Sequence, residues 1–435
     1  MRRSRRWVFL TAALATWAAA AVPAAASGGQ QPRPRTERVS VAADGTQADV
    51  ASHTPAITAD GRHVAFLTRA SVFVPGTPRG RHLYLKDLRT GAVERANVSE
   101  DDNPDLRWVY EYSLSATGRY VVFASAAEEM GPGHVVDKHL YVRDRATGRT
   151  EPLLDDGRPG GAGNPVISAD GRYVAFDSPR TDLVPGGGKR EYQVYVHDRV
   201  RHTTRRVSVA SDGAAADGFS HLPVISADGS EVGFLSVADN LGTAGGPRPA
   251  PRDTSFYVHD MRTGRTRPAA QRQDGTPAAV VTERSLTPDG RYALFCSSTP
   301  GIVTGYTGTV QQCYAKDLRT GVTRMVSLAP DGAPADGHTS AVVMGADHRR
   351  VFFTSWAHNL LPGGAGEFSA VYARDLRTGA VERIDVAADG TGADGLAGGT
   401  SVDRSGRVVA FESWAGNLVP GDTNDTGDVF VRRLT

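Results

Sequence analysis

The sequence has only two cysteines among 435 residues, which excludes a scaffold held together by several disulfides. It also lacks an excess of either charge, because 49 Lys and Arg oppose 48 Asp and Glu. A nucleic-acid-binding domain usually carries a basic surface, so we expect no nucleic-acid partner. After residue 22 no apolar run approaches the roughly 20 residues of a membrane-spanning helix. We therefore expect no membrane span, and we expect a monomer.

The chain begins with the layout of a secretory signal peptide. Residues 1–6 read MRRSRR, and residues 7–22 form an apolar run that leads to small residues ending at Ala26. This pattern predicts a signal peptide over 1–26, cleaved near Ala26, by either the general or the twin-arginine route. Residues 27–35 are rich in Gly, Gln and Pro and predict a flexible leader. The mature protein is thus expected to be secreted, outside the cytoplasm.

One motif recurs seven times along the rest of the chain. It consists of a short apolar segment, a Ser/Thr-x-Asp-Gly-Arg type turn and a second apolar run that ends in phenylalanine. Clear copies lie at 57–66, 167–176 and 286–295. The closing phenylalanines are 53 to 61 residues apart. A period of this length indicates a stacked or circular repeat architecture.

Each repeat predicts a four-stranded antiparallel sheet. A second motif, Asp-x-x-Thr-Gly, marks a further turn, as at 87–91. Asp60-Gly61 predicts a tight hairpin turn, because glycine accepts the positive φ that such turns need. The inner strands are apolar at consecutive positions, which is typical of sheets covered on both faces. In the first repeat the predicted strands are 55–58, 63–68, 82–88 and 92–98.

The two ends of the chain complement one another. The last repeat stops at a third strand over 428–434, and residues 36–41 read as a fourth strand with no partner before it. The sequence therefore predicts an all-β fold, a single seven-bladed β-propeller over 36–435. Its ring is closed by pairing of the N-terminal strand with the last blade. Closure removes the exposed sheet edges that invite aggregation.

These repeats resemble the TolB-type propeller repeat, also described as WD40-like or PD40. That repeat reads Ser-Pro-Asp-Gly-x-x, then an aliphatic residue, Ala or Val, and Phe, and Asp-x-x-Thr-Gly follows. The resemblance covers essentially the whole mature chain and implies the fold. TolB docks other proteins and has an N-terminal α/β domain without a counterpart here, so its role is not implied.

No catalytic motif is found. The sequence lacks a Gly-x-Ser-x-Gly elbow, a His-Glu-x-x-His motif, a P-loop, a Cys-x-x-Cys pair and a dinucleotide fingerprint. The leading hypothesis is a secreted propeller that binds a protein or glycan partner. The alternative is a propeller enzyme, a glycoside hydrolase or lyase, with its site at the channel mouth. A third interpretation is a purely structural envelope component.

The two faces of the predicted ring differ in loop length. The Asp-Gly and Thr-Gly turns form one side, the short-turn face. The opposite side, the long-loop face, carries the connections between blades and between second and third strands. Long loops on a rigid scaffold are frequent binding sites, although a water-filled channel would also have polar walls. The polar candidates at the channel mouth are His53, Tyr110, Glu111, Asn164, His221, Glu283 and Arg284.

Two further features remain. Asp422, Asn424 and Asp428 have a spacing similar to the first half of a calcium loop, although Arg433 stands where the closing Glu would be. Calcium at these residues is the one cofactor considered; otherwise none is expected. Cys296 and Cys313 fall on neighbouring antiparallel strands of one blade, which predicts a disulfide, with two packed thiols as the alternative.

Overall fold

The computed structural model describes residues 35–98, 106–126, 138–154, 161–186, 191–242, 254–280, 284–362, 364 and 366–434. Within these ranges the chain forms seven sheets of four antiparallel strands. The prediction of an all-β, seven-bladed propeller is confirmed. Among the described residues, no helix is long and apolar enough to cross a membrane.

Six blades take four consecutive strands each. Blade 1 contains β2 (Ser52–Ile57), β3 (His63–Thr68), β4 (His82–Asp87) and β5 (Val93–Arg95). Blade 2 contains β6 (Trp108–Leu114), β7 (Tyr120–Ala126), β8 (His139–Asp144) and β9 (Arg149–Pro152). Blade 3 contains β10 (Gly163–Ile167), β11 (Tyr173–Ser178), β12 (Gln193–Asp198) and β13 (Thr203–Arg206). Blade 4 contains β14 (Ser220–Ile225), β15 (Glu231–Ser236), β16 (Ser255–Asp260) and β17 (Thr266–Pro268). Blade 5 contains β18 (Arg284–Leu286), β19 (Tyr292–Ser297), β20 (Gln312–Asp317) and β21 (Thr323–Met325). Blade 6 contains β22 (Thr339–Met344), β23 (Arg350–Ser355), β24 (Ala370–Asp375) and β25 (Val381–Arg383).

Blade 7 joins the two ends of the described chain. Its strands are β26 (Ala397–Val402), β27 (Val408–Ser413), β28 (Asp428–Arg433) and β1 (Arg35–Arg38). β1 pairs antiparallel with β28, from Arg35 opposite Arg433 to Arg38 opposite Phe430. The predicted ring closure is confirmed, with a strand that is shorter than 36–41 and begins one residue inside the expected leader.

The two sequence motifs meet on the short-turn face. In blade 1, Gly61 has a φ of 69° and Asp60 Oδ1 accepts the backbone N–H of Arg62 at 3.0 Å. The Arg62 guanidinium then pairs with Asp87 at 2.7 Å, and the other oxygen of Asp87 accepts the N–H of Arg89. The same Arg–Asp pair recurs in blades 2, 3, 5 and 6. One arginine therefore ties the first hairpin of a blade to the second.

The core of every blade contains one pair of stacked aromatic rings. In blade 1 the closing phenylalanine of the motif, Phe66, lies directly opposite Tyr84 on the next strand, with ring centroids 5.9 Å apart. Equivalent stacked pairs occupy the other six blades. All six residues of β3 are buried, as expected for a strand covered on both faces by neighbouring blades.

A belt of backbone hydrogen bonds links neighbouring blades on the short-turn face. At six of the seven junctions the residue that follows the Ser/Thr position of one blade donates its N–H to the matching carbonyl of the next. The bonds run from Ala59 to Ala116, Ala116 to Ala169, Ala169 to Ala227, Ala227 to Pro288, Ala346 to Arg404 and Arg404 to Ala59. The seventh bond, from Pro288 to Ala346, is missing because proline has no N–H.

Candidate functional site

The first strand of each blade lines the central channel, and a bulge recurs at the start of these strands. The pairing register shifts in six blades, 1, 2, 3, 4, 6 and 7. In five of these, all but blade 2, the shift is accompanied by a residue with positive φ, and only one of the five is glycine. Such bulges redirect side chains and often occur beside functional sites. The five residues are Thr54, Asn164, Leu222, Ala341 and Gly399.

Neighbouring blades hold two of these bulges on both sides. The N–H of Leu222 donates to Asp177 Oδ2 of blade 3 at 2.8 Å, and its carbonyl accepts from Arg284 Nε of blade 5 at 2.7 Å. The N–H of Thr54 donates to Glu412 of blade 7 at 2.8 Å, and its carbonyl accepts from the hydroxyl of Tyr112 of blade 2. The predicted site residue Arg284 therefore positions the backbone at the channel mouth.

Asn164 and Glu111 belong to a cluster that includes two residues outside the predicted set, Asp177 and Lys138. Asn164 Nδ2 donates to Asp177 Oδ2 at 2.9 Å, and Lys138 Nζ donates to Glu111 Oε1 at 2.7 Å. Asp177 Oδ1 and Glu111 Oε2 are buried without a hydrogen-bond partner among the described residues. Burial raises the pKa of Asp177 to about 6, and the Glu111 charge adds to the rise. The cluster thus presents both acceptors and a cation.

His221 lies on the same side of the channel. Its imidazole packs on the ring of Phe219 at 4.4 Å, and its Nε2 atom is buried without a hydrogen-bond partner among the described residues. Burial and the positive charge of Arg284 together lower the pKa of His221 to about 4, and burial is the larger cause. The imidazole is therefore neutral at physiological pH and has one nitrogen available for a ligand.

The remaining predicted residues lie towards blade 1. The ring of Tyr110 contacts the Arg81 guanidinium at 4.4 Å and Lys138 Nζ at 5.9 Å, so Tyr110 borders the cluster. His53 bonds through Nδ1 to the neighbouring Thr54 hydroxyl, and burial lowers its pKa. Glu283, predicted to join them, lies outside the described residues.

The candidate calcium residues surround an arginine. Arg38 Nη1 lies 3.0 Å from Asp422 and 3.1 Å from Asp428, and the same atom donates to Gln47 at 2.8 Å. Asn424 Nδ2 donates to Asp428 at 3.1 Å. Arg38 thus places a positive charge among the residues considered for calcium, and the group anchors β1 in blade 7. In the part of the chain that is described, no three His, Cys, Asp or Glu side chains are grouped to hold a metal.

The structure contains a disulfide between Cys296 and Cys313. The two residues are directly opposite each other on β19 and β20, and both are fully buried. The disulfide lies within blade 5, away from the channel-mouth cluster.

Sequence reasoning missed an exposed apolar group on the long-loop face. Trp356 and Trp414 are 45% and 59% exposed and occupy equivalent positions, directly after the second strands of blades 6 and 7. Phe368 and Leu396 are also exposed. They directly precede Ser369 and Ala397, and the Ser369 hydroxyl donates a hydrogen bond to the Ala397 carbonyl. We call Trp356, Phe368, Leu396 and Trp414 the aromatic platform. Its signal in the sequence is Ser-Trp-Ala-x-Asn-Leu, which occurs at 355–360 and 413–418.

The backbone that carries the two tryptophans is held in place on both sides. In blade 6, Asp336 Oδ1 accepts the N–H of His358 at 2.7 Å, while Asn359 accepts the N–H of Asp336 at 3.1 Å. A Cβ atom on Gly337 would lie 2.6 Å from the backbone of Trp356, so only glycine fits there. Asp394, Asn417 and Gly395 repeat these contacts in blade 7. The loops that carry Asp336 and Asp394, which we call the acidic loops, thus fix the platform.

The solved structures that resemble this chain include β-propeller proteins. Oligogalacturonate lyase from Vibrio parahaemolyticus matches with 13% identity and a TM-score of 0.55, over 92% of this chain and 93% of that one. The β-propeller domain of the Trilobed protease from Pyrococcus furiosus matches with 12% identity and a TM-score of 0.53, over 88% and 94%. TolB from Acinetobacter baumannii matches with 15% identity and a TM-score of 0.41, over 81% of this chain and 76% of that one.

No protein-family model matches the sequence, and no curated protein matches it. At identities of 12–15% a structural likeness shows the fold alone. What the comparisons show of this chain is therefore its fold: a β-propeller of four-stranded antiparallel blades, the architecture that its sequence repeats predicted.

Proposed function

We propose that this protein is an extracytoplasmic binding propeller that holds a glycan on its long-loop face. The observation that carries the proposal is the pair of exposed indoles, Trp356 and Trp414, at equivalent positions of adjacent blades. Monomeric proteins rarely expose contiguous apolar groups of this kind unless the groups form a binding surface.

The chemistry of the platform favours a sugar. The face of an indole carries partial negative charge and attracts the weakly positive C–H groups that a pyranose ring presents on one side. The neighbouring polar groups of the acidic loops, including Asp336 and Asp394, are exposed and suit sugar hydroxyls. Because the backbone is already held by the Asp–Asn contacts, a glycan would lose little free energy to ordering the site.

The channel-mouth cluster supplies a second contact on the same face. Glu111 and His221, which are partly exposed, each have a polar atom without a hydrogen-bond partner among the described residues. A buried polar atom without a partner costs roughly 1–3 kcal/mol, and a ligand hydroxyl that bonds to it recovers part of that cost. A polar, uncharged ligand such as a glycan satisfies the Glu111 carboxylate and the imidazole without placing a new charge beside Lys138.

The test is a glycan-array screen of the mature chain, followed by calorimetric titration of the best glycan. Trp356→Ala and Trp414→Ala should each weaken binding roughly tenfold or more, as truncation of a central aromatic anchor does. His221→Ala should weaken binding less. Val237→Ala is the matched control, because Val237 occupies the position of the two tryptophans in blade 4. Its affinity should be unchanged.

Two results would contradict this function. If the tryptophan variants bind as well as the unmodified chain, the platform is not the site. If instead Arg62→Ala and Arg172→Ala on the short-turn face abolish binding, the working face is the opposite one. If the mature chain binds no glycan on the array but captures a protein in a pull-down, the partner is a protein, the other possibility named in the sequence analysis.

Glycan cleavage at the channel mouth is a second candidate. The raised pKa of Asp177 keeps part of this carboxyl protonated near neutral pH, as a general acid requires, while Glu111 provides a second carboxylate. Asp177 is only 1% exposed, which is why binding is proposed first. Chromatography of the glycan recovered from the titration distinguishes binding alone from cleavage. Shortened products that disappear with Asp177→Asn would establish catalysis.

A further inference from the structure

A groove opens between blades 5 and 6 on the short-turn face, at the one junction where the backbone belt is interrupted. Pro288 cannot donate the bond that its counterparts in the other blades make. The groove has a volume of about 880 Å³, within the range of small-molecule sites. It is lined by residues of the turns and outer strands of both blades, on the face opposite the aromatic platform.

The floor of the groove is apolar and its rim is cationic. Met325, Leu328 and Met344 form the floor, and the partly exposed Leu376 borders it. Five arginines line the rim, two of which are engaged: Arg291 pairs with Asp317 and Arg349 pairs with Asp375. The other three are Arg324, Arg374 and Arg377.

These three guanidinium groups have no acidic partner among the described residues. For Arg374, Nε is buried without any hydrogen-bond acceptor, and desolvation lowers its pKa. A buried cationic donor that lacks an acceptor is costly, which favours an anion in the groove.

The pattern of the repeat emphasises Arg324. At the same position of the fourth strand, blades 1 and 2 have Glu94 and Glu151, which pair with Arg145 and Arg199 of the following blade. In blade 5 the glutamate is replaced by Arg324, and the arginine of the following blade is replaced by Leu376. Blades 3 and 4 also have arginine at this position, but Arg205 bonds to the Met261 carbonyl and Arg267 pairs with Glu231, whereas Arg324 has no side-chain partner among the described residues. The ion pair of the first two junctions is therefore exchanged in blade 5 for an unpaired cation and an apolar surface.

We propose that this groove binds a small anionic amphiphile, a carboxylate with a hydrocarbon body. The carboxylate would lie between Arg324, Arg374 and Arg377, and the hydrocarbon would cover the methionines of the floor. Methionine side chains adapt to irregular apolar shapes, and arginine binds carboxylates through paired N–H groups. The apolar floor offers nothing to hydroxyl groups, which distinguishes this ligand from the glycan of the opposite face.

The test uses decanoate, below its micelle concentration, as the probe in calorimetric titration of the mature chain. One saturable site per chain is expected. Arg324→Glu, which introduces the residue that other blades carry, should weaken decanoate binding at least tenfold. Arg205→Glu is the matched control: Arg205 holds the same strand position in blade 3, bonded to the Met261 carbonyl, and its variant should bind as before.

Two comparison probes separate charge from hydrophobicity. Inorganic phosphate and decyltrimethylammonium should both bind much more weakly than decanoate. The proposal is overturned if Arg324→Glu binds decanoate as tightly as the unmodified chain, if Arg205→Glu loses as much, or if either comparison probe matches decanoate. Thermal melting of each variant checks that its fold is retained.

Discussion

Asp177 directly follows the core phenylalanine of blade 3, a position that blades 1 and 4 fill with Leu67 and Leu235. One oxygen of Asp177 is fully used by its neighbours, Leu222 and Asn164, and the other is unpartnered within the described chain. The carboxyl is thus placed where the fold expects an apolar side chain. Burial of its charge above the pKa of about 6 opposes folding.

This environment predicts a pH dependence of stability. Asp177 titrates near 3.8 when unfolded and near 6 when folded, so the folded state binds the extra proton between these values. The contribution of Asp177 to the free energy of unfolding is therefore greatest below pH 3.8. It decreases by at most about 3 kcal/mol as the pH rises through 6. The melting temperature of Asp177→Asn relative to the unmodified chain should therefore rise between pH 4 and 7.

Asp198 provides a control of opposite sign. Its hydrogen bond to Arg172 lowers the pKa of Asp198, so its contribution is lost as the pH falls. The loss of stability of Asp198→Asn relative to the unmodified chain should be greatest at neutral pH. A difference for Asp177→Asn that does not change with pH would show that this carboxyl stays charged throughout.

Part of the channel mouth could be predicted from the sequence. Glu111, Asn164 and His221 were found because the repeat shows where each first strand begins. Asp177 and Lys138 were missed because one occupies a core position of the motif and the other follows a long loop. Arg284 was found, but its bond to a bulged backbone depends on a positive φ at Leu222, which nothing in that residue type indicates.

At the scale of the strand and hairpin, the repeat motifs determine most of the structure. The Asp-Gly and Thr-Gly turns follow from local residues and were predictable, whereas the Arg62–Asp87 pair joins two turns 25 residues apart and was not predicted. The bulges were not, because the alternation of a strand says nothing about a residue inserted between paired positions. The aromatic platform was overlooked for a related reason: a tryptophan that follows an apolar strand reads as core, whereas the strand has already left the core at Trp356.

Replacement of Pro288 tests the interrupted belt. Pro288→Ala supplies an N–H that can donate to the Ala346 carbonyl, as Ala227 donates to residue 288. The gain of roughly 1 kcal/mol from the bond should be offset by the greater freedom of the unfolded chain, so the melting temperature should hardly change. The new amide should be protected from hydrogen exchange, and decanoate affinity should fall as the junction tightens.

The amide of Ala227 serves as the internal reference for that exchange measurement. If the amide at position 288 exchanges as fast as those of exposed turns, the junction is held open by side chains and Pro288 is not the cause.

For the whole molecule, the fold was predictable because the repeats could be counted and the two ends complemented each other. β1 is held in blade 7 by more than its ladder. The next residue, Val39, is 1% exposed, Lys86 donates to the Val39 carbonyl, and Arg38 lies between two carboxylates.

Deletion of residues 27–41 should therefore open the ring and lower the melting temperature by many degrees, because it removes a strand and leaves Asp422 and Asp428 without their cation. Deletion of 27–34 alone should leave the melting temperature unchanged. Equal melting of the two truncated chains in differential scanning calorimetry would refute closure by β1.

The pairing of β1 with β28 also sets an order of events in time. β1 leaves the ribosome before the other strands of the ring, and β28, the strand with which it pairs, leaves after all of them. Until β28 has been synthesised, the growing chain cannot complete the blade that contains both. Contacts between such distant segments form slowly, and the unpaired edges remain open to other chains in the meantime. The β1–β28 pairing that stabilises the finished ring is thus also the folding step at which the nascent chain is most prone to misassembly.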